Sequence, residues 1–111
     1  IPIHSSTSLP GGATLTLRRA GHILGASTVD LEWGGRRVIF SGDLGRYNDA
    51  VMVDPEAVQD ADYLVVESTY GDRKHEPSDP AEMLGAVVER TVKRGGTVVI
   101  PAFAVGRAQS L

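Results

Sequence analysis

The residues best suited to chemistry stand in turns flanked by glycine. His22 occurs in "AGHILGAS", Asp43 in "SGDLGR" and Glu67 in "VESTYG". Each lies at or just beyond a stretch patterned like a strand, and loops at strand ends are where a rigid sheet presents reactive groups. Gly21, Gly25, Gly42 and Gly45 allow close backbone approach beside them. An imidazole and a carboxylate both suit zinc. The chain has no cysteine, so disulfides and thiolate sites are excluded and any metal must take nitrogen and oxygen donors. Taken singly, each residue has an ordinary structural reading. His22 fits a surface or hydrogen-bonded position, Asp43 a turn whose carboxylate caps nearby amides, and Glu67 a strand end reaching solvent. Positions 22, 43 and 67 form no local ligand signature of the H-E-x-x-H kind, so spacing alone leaves both readings open.

Other candidates carry less. His4, in a lead-in rich in Ser, Pro and Gly, reads as a surface residue, and His75, in the polar stretch "GDRKHEPS", reads as exposed. The segment "PAFAVGRAQ" (101–109) could offer helix-start amides and Arg107 to a phosphate. A packing turn with a salt-bridged arginine is the simpler reading of it. It lacks the Lys-Ser/Thr of a P-loop, so nucleoside triphosphate binding is not supported.

Elements must hold these turns in place. "ATLTLRR" (13–19) and "STVDLEW" (27–33) alternate apolar and polar residues with the period of half-buried strands. Gly34-Gly35 then joins 28–33 to 36–41 as an antiparallel hairpin. Residues 1–12 predict an irregular connection, and the acidic stretch 49–62 a loop with a short helical turn. "YLVVE" (63–67) is a continuous apolar run of the kind found in strands covered on both faces. A helix is signalled by Asp79 as N-cap, Pro80 at the first helical position and Glu82 three residues after the cap. Met83, Leu84, Val87, Val88, Thr91 and Val92 line one side of it, and Gly95-Gly96 ends it. "TVVIP" (97–101) predicts a second buried strand, completing a strand-helix-strand unit with a right-handed crossover, and "GRAQSL" predicts the start of another helix. The chain changes character near residue 62, from hairpins to strand-helix-strand.

Composition bounds the function classes. A length of 111 residues with 41% hydrophobic and 23% charged residues fits one small globular domain or part of a larger one. The net charge of −3 gives no footprint for sequence-independent nucleic-acid binding. No apolar run approaches the roughly 20 residues of a membrane span and no charged-then-apolar leader is present in these residues, so the expectation is a soluble, cytoplasmic chain.

Taken together and in order, "AGHILGAS", "FSGDLGR", "ADYLVVESTYGDRKH" and "VVIPAFAVGRAQ" resemble the metallo-β-lactamase-fold nucleases of the β-CASP group, RNA-processing enzymes that include the cleavage and polyadenylation endonuclease. The matches spread over nearly all of residues 20–109. The resemblance implies an α/β fold: part of a metallo-β-lactamase αββα sandwich with antiparallel hairpin strands, joined to the first strand-helix-strand unit of a β-CASP domain. It implies that residues 1–62 are the C-terminal part of the first metallo-β-lactamase segment and 63–111 the start of the β-CASP domain. His22 is similar to a zinc-ligand histidine. Asp43 is similar to the aspartate that bridges two zinc ions, so it is both ligand and catalytic residue. Glu67 matches a catalytic acid thought to orient a histidine near the scissile phosphate. The implied parent is a zinc-dependent ribonuclease that cleaves RNA phosphodiester bonds by metal-activated water, with RNA as substrate, two Zn2+ ions, no membrane partner and a homodimer as one assembly.

The chain departs from the family in lacking the H-x-H-x-D-H signature that supplies most zinc ligands, and the later β-CASP histidines. It opens on Ile1 and stops at Leu111, and the expectation is an internal fragment that alone binds metal weakly, hydrolyses nothing and leaves an apolar sheet face uncovered. Two rivals stand beside this reading: a hydrolase of the same fold acting on another substrate, and a non-catalytic scaffold subunit of an RNA-processing complex.

Overall fold

A computed structural model describes residues 1–74, 78–102 and 108. Ile1–Thr69 form one compact unit and Tyr70–Ala102 another. The expected change of character at residue 62 is therefore not where the units part, because the strand that follows still belongs to the first sheet.

That sheet has five strands in sequential order: β1 (Ser6–Ser8), β2 (Thr14–Arg19), β3 (Ser27–Trp33), β4 (Arg36–Phe40) and β5 (Tyr63–Val65). β1 to β4 pair antiparallel, and β5 joins β4 in parallel. The predicted hairpin is present, with Trp33 opposite Arg36 across Gly34-Gly35. β1 corrects the expectation of an irregular lead-in. Its Ser and Thr carry no hydrophobic period, yet they satisfy the open edge of β2, and the Ser6 and Thr16 hydroxyls meet across the strands at 3.0 Å. The short helical turn expected within 49–62 is absent, and the segment is irregular, with bends at 50–52 and 62.

Register gives the sheet two unlike faces. Leu15, Leu31, Val38 and Tyr63 form one cross-strand row, and Leu17, Val29, Phe40 and Val65 the next. This apolar face is open: Phe40 is 40% exposed and Tyr63 59%. The expectation that residues 63–67 are covered on both faces is thus corrected: Tyr63, Leu64, Val65 and Val66, which alternate between the two faces, are each more than half exposed, and among the described residues β5 pairs with β4 alone. The other face is polar and more closed. Asp30, 3% exposed, accepts from Arg18 Nε at 3.1 Å and from Arg37 Nε and Nη2 at 3.0 and 2.6 Å. Thr28, Ile39, Ser41 and Ala20 are buried too, Ile39 directly opposite Asp30.

The second unit contains α1 (Pro80–Lys93). Its start follows the predicted logic: the Asp79 carboxylate accepts from Ala81 N at 2.8 Å, Pro80 takes the first helical position and Glu82 places negative charge in the first turn. Its end is a left-handed glycine cap. Gly95, at φ +69°, donates to Val92 O, and Gly96 donates to Thr91 O. Residues 97–100 correct the expected strand: among the described residues they join no sheet, and Val99 is 83% exposed. An apolar run becomes a strand only where a neighbour accepts its backbone hydrogen bonds, so among the described residues the strand-helix-strand unit stops at its helix. The helix start expected at "GRAQSL" and the cradle with Arg107 lie outside the described residues, apart from Ala108. What remains, a five-stranded sheet with one helix, is a mixed α/β arrangement compatible with the expected fragment. Among the described residues no helix is long and apolar enough to cross a membrane.

Candidate functional site

The three candidate turns collect at one end of the sheet because their backbones are joined directly. The 20–26 loop is closed by Ala20 N donating to Ala26 O at 3.1 Å and Ala26 N to Ile23 O at 3.0 Å. The turn after β4 crosses it: Gly45 N donates to Ala20 O at 2.8 Å. At that crossing a Cβ on Gly45 would overlap the carbonyl of Gly21. Gly21 is held on its other side by the 53–55 segment, where a Cβ would come within 2.8 Å of Pro55 N and Val53 O. Glycine is required here by contact, and in Gly21 also by φ of +72°. His22 follows Gly21 and Asp43 precedes Gly45 at this crossing, and both are exposed.

Glu67 reaches the same place from the end of β5. Its Oε1 accepts from Leu44 N at 2.7 Å, and its Oε2 from the Thr69 hydroxyl at 2.6 Å. These bonds hold the Glu67 carboxyl below the usual carboxylate range, the Thr69 hydroxyl first and the Leu44 amide next. Partial burial opposes them, and the nearby charge of His22 adds a lesser pull in the same direction. Glu67 therefore stays ionised and keeps free lone pairs for a further donor. Its observed work is to hold the residue next to Asp43.

The connection behind the site is anchored by Glu56. Its amide donates to Arg19 O at 3.0 Å, and its carboxylate accepts from Arg19 Nη2 at 2.9 Å and pairs with His4 Nε2 at 2.8 Å. His4 is exposed as expected, but it is tied down at a fixed partner instead of lying in a loose lead-in. His75 lies outside the described residues.

A metal is tested by the donors present. An imidazole and a carboxylate on neighbouring turns suit zinc in kind, but zinc takes three or four protein ligands. No group of three or more His, Cys, Asp or Glu able to hold an ion occurs among the described residues. The pair can serve as part of a site and needs ligands from beyond them. Sequence reasoning found the three turns but missed Ser41 and Thr69, whose hydroxyls bond the turn and Glu67. A small hydroxyl residue between an apolar strand and the Gly-Asp turn in "FSGD" was the available signal.

No protein-family model matches the chain. Among curated proteins it is 38% identical over 113 residues to "Endoribonuclease YSH1" of Mycosarcoma maydis, covering 100% of this chain and 13% of the relative. It is 39% identical over 102 residues to "Ribonuclease TTHA0252" of Thermus thermophilus, covering 91% of this chain and 24% of the relative. The chain is homologous to a segment of the β-CASP metallo-β-lactamase group. A third match, 37% identical over 102 residues and 90% of the chain, is "Cleavage and polyadenylation specificity factor subunit 3" of Dictyostelium discoideum. The chain spans between 13% and 24% of the length of these β-CASP relatives.

Proposed function

We propose that this chain is the part of a zinc-dependent, RNA-cleaving β-CASP hydrolase that presents His22 and Asp43 as metal ligands and Glu67 as their supporting acid. The observation that carries the reading is the crossing of the two turns, Gly45 N on Ala20 O at 2.8 Å, with Glu67 bound to the Leu44 amide beside it. That arrangement brings an imidazole, a carboxylate and a second acid to one sheet end on rigid backbone, as a site for charge-developing chemistry requires. Residues 1–62 are then the C-terminal part of the metallo-β-lactamase segment, and 63–111 open the β-CASP domain, β5 completing the first sheet before the second unit begins.

The roles follow from the donors. Asp43 projects from a turn whose flanking backbone is fixed on both sides, so its carboxylate can hold ions at a set position. His22 supplies an imidazole from the adjoining loop. Glu67, kept ionised, steadies the Asp43 turn and can accept a hydrogen bond from a histidine elsewhere in the parent protein. The bound ions would activate water and neutralise charge on the scissile phosphate. RNA is the substrate class favoured by the names of the relatives.

Elemental analysis of the full-length protein tests this. About two zinc ions per chain are expected, and Asp43→Ala should remove most of the metal together with RNA cleavage. A full-length protein that purifies without metal and gains no cleavage activity on zinc addition would refute the catalytic reading and leave a scaffold role in front.

A further inference from the structure

Asp43 stands in a turn that has little of its own to hold it. Gly42, at φ +57°, has no side chain to anchor, and Asp43 itself is exposed. Yet the turn is held on one side by Ser41, which precedes it, and on the other by Glu67, which Ser41 also bonds. Ser41 is 4% exposed, and its hydroxyl donates to Gly42 O at 2.6 Å while accepting from Glu67 N at 3.0 Å. Glu67 in turn accepts from Leu44 N at 2.7 Å through Oε1. The path Ser41 hydroxyl, Gly42 carbonyl, Asp43, Leu44 amide, Glu67 carboxylate, Glu67 amide and back to the Ser41 hydroxyl is a closed ring with Asp43 on its rim.

We infer that Ser41 is a positioning residue for Asp43, its hydroxyl being the link that closes this ring. The inference rests on the hydrolase reading for its consequence in catalysis and on geometry alone for the ring. The chemistry of the link is specific. A hydroxyl is donor and acceptor at once, whereas alanine would strip Glu67 N of its acceptor and Gly42 O of its donor together. The residue has a firm base for the task. Ser41 N donates to Val65 O at 2.9 Å, and Ser41 O accepts from the Thr28 hydroxyl at 3.2 Å, so three strand ends meet at it. Thr28 thus bonds the same residue from outside the ring, which makes it a control for mere loosening of the strand ends.

The test uses the full-length protein, with Ser41→Ala, Ser41→Thr and Thr28→Val. Two readings are taken: amide exchange of the 42–45 turn by mass spectrometry, and kcat and KM on a single-stranded RNA oligonucleotide. For Ser41→Ala the turn should exchange at least about tenfold faster, and kcat should fall roughly 10- to 100-fold, the range typical of outer-sphere supports, with KM within about twofold. Ser41→Thr should restore most of both, and Thr28→Val should leave both within about threefold of the parent. The inference is overturned if Ser41→Ala keeps turn protection and kcat, or if Thr28→Val reproduces its effects. Should Ser41→Ala fail to fold, Ser41→Thr decides: a folded threonine variant with an unprotected turn overturns it as well. Cleavage that persists in Asp43→Ala would count against the hydrolase reading, while the exchange data would still report on the ring.

Discussion

Both ends of the sheet turn on glycine, but the glycines answer different demands. At the end bearing His22, Asp43 and Glu67, a Cβ on Gly45 would overlap the Gly21 carbonyl, and one on Gly21 would meet Pro55 N and Val53 O at 2.8 Å. At the opposite end Gly34 and Gly35 turn the β3–β4 hairpin at φ +57° and +71°, and a Cβ on either would meet nothing within 4 Å. The hairpin glycines serve only backbone dihedrals, in a two-residue turn with positive φ at both positions. Those at the candidate site let two main chains touch, so that the turns bearing His22 and Asp43 adjoin. The same residue type is therefore replaceable at one end and not at the other.

The largest effect should come from breaking the crossing. Gly45→Ala places a methyl group on backbone atoms that have no flexible end to yield, and overpacking of that kind costs on the order of 3 kcal/mol or more. Thermal unfolding of the full-length variant should show a clearly lowered midpoint, with faster amide exchange in the 20–26 and 42–45 loops. A midpoint equal to that of the parent would erase the distinction between the two ends.

Next comes Asp30, which lies between the ends and secures the polar face. Asp30→Asn leaves Arg18 and Arg37 without their shared carboxylate. Because both guanidiniums keep some access to water, the expected loss is about 2–3 kcal/mol, below that of a fully buried pair. The hydrogen bonds from Arg37, joined by those from Arg18 and opposed by burial, hold the Asp30 carboxyl below its ordinary range. A depressed folded-state pKa gives stability that is present above the unfolded value, about 3.9, and is lost as pH falls through the folded one. Unfolding midpoints measured from pH 7 down to pH 2 should converge for the parent and Asp30→Asn below about pH 4. A gap that stays constant over that range would show that the carboxylate charge is not what stabilises the face.

How far these features could be read beforehand depends on how local their causes are. The hairpin was legible because Val29, Leu31 and Trp33 alternate and Gly34-Gly35 follows at once. The helix was legible from Asp79, Pro80 and Glu82 at one end and Gly95-Gly96 at the other, all acting within one turn. β1 was not, because Ser6, Thr7 and Ser8 carry no hydrophobic period and become a strand only by pairing with β2. The run at 97–100 misled for the converse reason, having a strand's composition but joining no sheet among the described residues. The three candidate turns could be picked out by residue type. Their junction could not, since it depends on contacts between distant positions: Gly45 on Ala20, Leu44 on Glu67 and Ser41 on Glu67.

The smallest effect sharpens the comparison from the other end. Gly35→Ala meets no atom within 4 Å, so its cost is confined to holding an L-residue at φ +71°, about 1–2 kcal/mol. Asparagine tolerates the left-handed region far better than alanine. Gly35→Asn should therefore recover most of that loss and lie within about 0.5 kcal/mol of the parent, while the same change at Gly45 should recover nothing, because there the obstacle is contact and not φ. Unfolding midpoints of the alanine and asparagine pairs at both positions read this directly. Recovery at Gly35 alone separates a dihedral demand from a packing demand, and recovery at both would mean that the 20–26 and 41–45 turns can move apart to admit a side chain, leaving Asp43 without a fixed base.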